Sequence, residues 1–464
     1  MPHIQSDSKS TDVSEITPQV QLWMLRMLVP MGCHNKFIKG RHGFSNDGLA
    51  HVLGLGKWVD ANEDEFQPSA VKRQLRQFHA DLEAKALAQP EGFLPDACLQ
   101  ANIDHLNRLV GLNQTEQHIL SLAVQLHTCS LLDDLADMLG PLPSAKAIKC
   151  IADVLALPTE QVRCALGAQG ILTRSGLVVL DRHRLNPLRN KLDLLSKAFA
   201  DTMTAFEVEP LELLKETVHP SSAPVLMLAD YPHMGKTLDV LRPFLTESIA
   251  TGRKGVNVFI HGEPGTGKTQ LVKCLVAELG LPLFEVASED ENGDPINGVS
   301  RLRAYRAAQS FFSNQPTLIL FDEVEDVFND ESERGTRSAA QSRKAWINRT
   351  LEDNAVPAFW LSNSVSCLDP AFVRRFDFIF ELPVPPRSQR QRMLDTQCAA
   401  LVSAHSRTRI AAHAHLAPAV VSKAISVIRT VEGRLQPAQI ETAFELILSN
   451  TLKGLCCTNR WAAL

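Results

Sequence analysis

The chain has 464 residues, 45% of them apolar and 21% charged, with a formal net charge of −5. That length exceeds one ordinary core and implies two or three domains, and the near-balanced charge excludes a general attraction to nucleic acid or anionic lipid while leaving local basic patches open. No apolar run reaches the roughly 18 residues a membrane helix needs, and the polar opening MPHIQSDSKSTDVSE lacks the apolar core of a secretory signal. The ten cysteines form no CxxC pair, and Cys456 and Cys457 are adjacent. Free thiols in a reducing cytoplasm are therefore expected, with no zinc site and no disulfide framework.

Residues 1–17 are polar and are expected to be disordered. Over 18–112 the apolar positions of VQLWMLRML and VKRQLRQFHADLEAKAL recur at helical spacing, with Trp23 and Met24 as core residues. The segment 113–200 reads as three helices, NQTEQHILSLAVQLH, SAKAIKCIADVLAL and PTEQVRCALGAQG. Two short strands follow in ILTRSGLVVLD, joined at Arg174-Ser175-Gly176. Helix, helix, helix, hairpin is the order of a winged helix, which would read DNA through its third helix. Charge argues against that use. Residues 113–184 hold six Lys or Arg and seven Asp or Glu, and the third helix offers Arg163 alone, where phosphate contacts need several cations. Residues 201–235 read as a linker, after which strands alternate with helices as in a parallel α/β sheet.

The segment VNVFIHGEPGTGKTQLVKCLVAELG carries the clearest chemistry. An apolar strand, Val256–Ile260, runs into Gly262-Glu263-Pro264-Gly265-Thr266-Gly267-Lys268-Thr269 and then into an apolar-periodic helix. This strand–GxxxxGK[ST]–helix order is a phosphate-binding loop. Its glycines let successive amides turn inward around phosphate oxygens. Lys268 supplies a cation to the β- and γ-phosphates, and Thr269 a hydroxyl to Mg²⁺. A second apolar strand in TLILFDEVED ends in Asp322 and Glu323, at the carboxyl edge where such sheets bind ligands. Asp322 is suited to hold Mg²⁺ through water and Glu323 to activate the attacking water, with Glu325 and Asp326 read as helix-start or solvated acids. A third strand, AFWLSN, ends at Asn363, within reach of the same water or the γ-phosphate.

Together these residues resemble the AAA+ ATPases, and within them the AAA group. GEPGTGKT at 262–269 is similar to Walker A, LILFDE at 318–323 to Walker B, and Asn363 to sensor 1. LDPAFVRRFD at 368–377 is similar to the second region of homology. The resemblance implies a P-loop NTPase core over 236–385 with a five-stranded parallel sheet, and a helical lid over 386–464. It also implies ATP and Mg²⁺ as cofactors, a homo-oligomeric ring such as a hexamer, a protein substrate, and hydrolysis of ATP to ADP and phosphate. Arg374 and Arg375 correspond to arginines that reach a neighbouring protomer's ATP, and their adjacency leaves open which one makes the contact. Ile296 occupies the pore-loop position that commonly holds an aromatic. Arg434 in EGRLQPAQ is the candidate lid arginine, with Ala438 at the position where similar proteins carry Ala. The alternative to a protein remodeller is a nucleic-acid-associated ATP switch using the winged-helix-like segment. No HExxH or Ser–His–Asp pattern is present, so any proteolysis would need a separate partner. The ending TLKGLCCTNRWAAL stops shortly after the lid, as a short version, a fragment or a complete single-module protein would.

Overall fold

The computed structural model describes residues 16–461 apart from 63–64, 183, 197, 291, 329–336 and 432–433. The stretch 1–17 lies almost wholly outside the described residues. The chain divides into two units, Met1–Thr217 and Val218–Leu464.

The N-terminal unit is mainly helical. Its first helix, Pro18–Leu28, is capped by the Thr17 side chain and starts on a proline, whose missing N–H costs nothing there. Trp23 and Met24 are buried, as their periodicity requires. Arg26 on this helix pairs with Glu83 at 2.8 Å and donates to the Val154 carbonyl at 2.8 Å. The regions 18–112 and 113–200 are thereby joined. The helix Phe199–Ala205, at the start of the expected linker, packs on Ala97–Val110 and Gln114–Thr128. Buried Asn102 fixes it there by donating to the carbonyls of Met203 and Phe206 and accepting from the Val208 amide. Residues 201–217 are thus part of a shared core. No single helix among the described residues is long and apolar enough to cross a membrane. The bent pair Gln114–Thr128 and Ser130–Asp137 passes by length and composition, but its Ile119, Leu122, Val124, Leu132 and Leu135 are buried in this core.

The hairpin differs from its expected form. Ile171–Arg174 is a helical turn, because the Glu116 carboxylate accepts the Ile171 amide and the Ser175 hydroxyl bonds back to the Ile171 carbonyl. The paired strands are β1 (Val178–Leu180) and β2 (Leu192–Leu194), antiparallel with Val179 opposite Asp193. In the third helix, Thr159–Ala165, Arg163 is paired with Glu160.

The C-terminal unit is built on six strands. In chain order they are β3 (Val218–Pro220), β4 (Asn257–His261), β5 (Leu283–Val286), β6 (Leu318–Phe321), β7 (Ala358–Ser362) and β8 (Phe378–Glu381). Their spatial order is β3-β5-β6-β7-β4-β8. Five are parallel, and β3 adds an antiparallel edge, with Val218 opposite Val286. The expected five-stranded sheet therefore has a sixth strand, drawn from the expected linker. Three residues ending in Pro220 leave too little alternation to read as a strand, and proline is tolerated there because the strand is an edge. Tyr231 and Met234, also from that stretch, are buried against the sheet. The four-residue run of β6 is buried throughout, as strands covered on both faces are. Phe376 packs on Phe259 and Trp360. After β8, the helices Arg387–Gln397, Ala404–Ala411, Pro418–Val431 and Pro437–Trp461 form a second core around Leu394, Val421, Ile428, Phe444 and Leu448.

A buried amide network closes the end of the sheet opposite the strand tips. Asn257, fully buried, donates to the Leu351 carbonyl at 2.8 Å and accepts from the Trp360 indole at 3.1 Å. Asn354 donates to the carbonyls of Val256 and Val356, and Gln309 both donates to and accepts from Val356. Buried polar groups of this kind are costly to orphan. Replacing Asn257 by Leu should lower the unfolding free energy of this unit by about 2–4 kcal/mol, seen as a lower urea midpoint for its transition with that of the N-terminal unit unmoved.

Candidate functional site

β4 ends at His261 and the chain turns at once through Gly262. A Cβ there would lie 2.3 Å from the Leu382 carbonyl oxygen, so glycine alone fits between β4 and the chain leaving β8. Gly265 and Gly267 have φ of +79° and +97°, the left-handed region that glycine enters without strain. The Tyr231 hydroxyl donates to the Gly267 carbonyl at 3.0 Å, and the Ala419 amide to the Gly265 carbonyl at 3.2 Å. Core and lid thus hold the loop from two sides. The helix Lys268–Glu278 begins directly after it, so its first amides, unpaired by helix geometry, face the loop's concavity with the positive end of the helix dipole.

Lys268 is 8% exposed, and its Nζ donates to the Gly262 carbonyl at 2.9 Å and to Asn363 Oδ1 at 3.0 Å. Burial pulls its ammonium below the usual lysine range, against the opposing pull of Asp322, Glu325 and Glu323. An anion in the loop would relieve that desolvation. Thr269 Oγ1 donates to Asp322 Oδ2 at 2.7 Å, which brings together the hydroxyl and carboxylate of a hydrated-cation site. Glu323 follows with φ +52° and is exposed. Lys268, Thr269, Asp322, Glu323 and Asn363 line one cavity of about 820 Å³, with Tyr231 and Pro232 from the core and Arg392 and Met393 from the lid. The donor set and the glycine cradle fit a nucleoside triphosphate with a divalent cation.

Other candidates fall elsewhere. Arg374 caps the short helix Pro370–Val373 and is exposed, while Arg375 is half-buried and paired with Glu352 at 2.5 Å. Neither lines the cavity. Arg434 is exposed and also outside the lining, and the Ala438 side chain lies outside the described residues. Ile296 sits at the root of a folded loop. Its amide donates to the Ser288 carbonyl at 2.9 Å, beside a bridge between Glu289 and Pro295.

Three residues escaped the sequence reading. Glu325, read as a helix-start or solvated acid, does begin the short helix Glu325–Phe328, but its carboxylate accepts from the Ser362 hydroxyl and the Asn363 amide. It orients the strand end that carries Asn363. Tyr231 braces the phosphate loop from a stretch read as linker. Arg301, 4% exposed, donates to the carbonyls of both Asp322 and Glu323. The single signal for Arg301 was an arginine on the apolar face of a helix.

Replacing Gly265 by Ala imposes left-handed strain and puts a Cβ 2.8 Å from the Ala419 Cβ. Affinity for a fluorescent nucleoside triphosphate should fall by about tenfold or more, with the circular-dichroism spectrum unchanged.

The family described as "ATPase family associated with various cellular activities (AAA)" matches residues 258–384, from β4 through β8. The nuclear valosin-containing protein-like of Mus musculus is 30% identical over 149 residues, covering 30% of this chain and 17% of that protein. The proteasome-activating nucleotidase of Aeropyrum pernix is 25% identical over 256 residues, covering 51% and 58% respectively. The ATP-dependent zinc metalloprotease FtsH 3 of Sphaerobacter thermophilus is 30% identical over 147 residues, covering 30% and 29%. The chain therefore spans between 17% and 58% of the length of these relatives. The phosphate loop, the Asp322-Glu323 strand end and Asn363 meet inside the matched segment, so residues 258–384 form a nucleotide-binding domain of the AAA ATPase family.

Proposed function

We propose that this protein is a Mg²⁺-dependent ATPase that assembles as a homo-oligomeric ring, such as a hexamer, and remodels a protein or protein complex in the cytoplasm. The observation that carries the catalytic part is the convergence of Lys268, the Thr269–Asp322 pair, Glu323 and Asn363 on one cavity. The loop amides and Lys268 bind the β- and γ-phosphates. Thr269 and Asp322 would hold Mg²⁺, which would supply positive charge to the phosphate oxygens. Glu323 accepts the proton of the attacking water, and Asn363, held by Glu325, keeps that water in line.

The arginines support the oligomer. Arg374 and Arg375 lie outside the chain's own cavity, which supports their reaching the nucleotide of a neighbouring protomer instead of their own. Glu352 shields part of the charge of Arg375, which favours exposed Arg374 as the longer reach. Among the relatives, one is named for activating a proteasome and another as a protease, which supports a protein substrate. The N-terminal unit, with its near-neutral helix–hairpin segment, is the part that engages the substrate or an adaptor.

Changing Glu323 to Gln should leave ATP affinity within about threefold and lower hydrolysis by about 100-fold or more. Unaltered turnover would sink the assignment. A second measurement addresses the shared site. Arg374→Ala and Arg375→Ala proteins should each be mixed with Lys268→Ala protein, and at least one mixture should hydrolyse ATP faster than either component. Failure to recover at every mixing ratio would argue against an arginine acting between protomers.

A further inference from the structure

Arg301 belongs to none of the nucleotide-binding motifs, yet it makes the densest set of contacts behind them. It lies in the first turn of the helix Gly298–Phe311. Its Nε donates to the Ala287 carbonyl at 3.3 Å, just past the end of β5. Nη1 donates to the Glu323 carbonyl at 2.9 Å and to Asp326 Oδ1 at 3.0 Å, and Nη2 donates to the Asp322 carbonyl. The guanidinium also lies over the Phe321 ring at 4.7 Å. One planar fork thus holds both carbonyls that bracket the Glu323 residue, which is the geometry for which arginine, unlike lysine, is pre-organised.

Glu323 needs such a hold. Its φ of +52° is one of two positive values at non-glycine residues among the described residues, and this conformation is strained and persists only where surroundings fix it. A second observation is independent of the guanidinium. A Cβ on Gly298 would lie 2.6 Å from the Asp326 carbonyl oxygen and 2.9 Å from its carbon, so the start of this helix abuts the segment just after Glu323. A third is connectivity. The chain leaving the Glu289–Pro295 bridge runs straight into the helix, whose first turn is capped by Asn297 accepting the Ser300 amide at 3.0 Å.

We propose that Arg301 is a positioning residue for ATP hydrolysis: it fixes the strained Glu323 backbone so that the carboxylate meets the attacking water, and it makes that alignment depend on how the start of the helix, at Gly298, seats against Asp326. The proposal rests on the assignment of Glu323 as the water-activating carboxylate. Removing the fork leaves the phosphate loop, Lys268 and Thr269 untouched, so binding and chemistry separate.

The test compares Arg301→Lys, Arg301→Met and Gly298→Ala with the parent protein and with Glu323→Gln, measuring single-turnover hydrolysis and affinity for a non-hydrolysable ATP analogue. Each of the three should lose about 10- to 100-fold in the hydrolytic step, with analogue affinity held within about threefold. Gly298→Ala keeps the guanidinium and moves only its seat, so it carries the test if an Arg301 variant is insoluble. Hydrolysis within about twofold of the parent in every soluble variant overturns the proposal. A parallel loss of hydrolysis and affinity overturns it too, since that is what a merely structural role gives. If Glu323→Gln hydrolyses normally, the reading of the site itself fails. If only Glu323→Gln is impaired, the site stands and the role of Arg301 falls.

Discussion

The register of β4 between β7 and β8 is the constraint on which the site depends. His261 lies opposite Ser362 on one side and Glu381 on the other, so the next residue on each strand emerges level. Gly262 then meets Asn363 and the chain after β8, and Lys268 folds back to bond both Gly262 and Asn363. On the far side of β7, Phe321 is opposite Trp360, which sets Asp322 against Thr269. A slip of one residue would turn every core side chain to the opposite face. The buried amides at the other end of the strands, with Asn257 bonded to Trp360, lock that register from below.

Electrostatics follows from this alignment. A lysine, three carboxylates and a strained backbone are gathered where water is partly excluded, an arrangement that local stability does not reward. Each member is compensated by a neighbour: Lys268 by carbonyls and Asn363, Asp322 by Thr269, Glu325 by the end of β7, and the Glu323 backbone by Arg301. Removing one partner exposes the cost of the others, which is the behaviour of a coupled polar network. The lid shares in it, since Ala419 bonds the loop and His415 lies 3.1 Å from Glu263.

The motifs were legible because their chemistry is local. Eight consecutive residues define the phosphate loop, and two buried strands announce Asp322-Glu323 and Asn363 by ending in polar groups. Glu325 starts a helix as expected, but its hold on the end of β7 was hidden, because an acid at a helix start has an ordinary explanation and nothing in TLILFDEVED says that the end of β7 folds over it. Arg301 escaped because its four acceptors lie in two segments, at Ala287 and over 322–326, that the sequence does not bring together. The edge strand β3 and Tyr231 were hidden in a stretch whose polarity and prolines read as linker, and the hairpin was shifted because Glu116, 55 residues away, caps Ile171.

What the sequence alone determined was the kind of chemistry: a glycine loop before a helix, a lysine, a hydroxyl and paired carboxylates at strand ends, all encoded in contiguous residues. What only the tertiary structure decided was how those groups are held. The positive φ of Glu323, the fork of Arg301 behind it, the Glu325 clasp on Asn363 and the brace of Tyr231 on Gly267 join residues far apart in the chain. Such contacts leave no periodic or local trace, because their energy exists only once the sheet has brought the strand ends level.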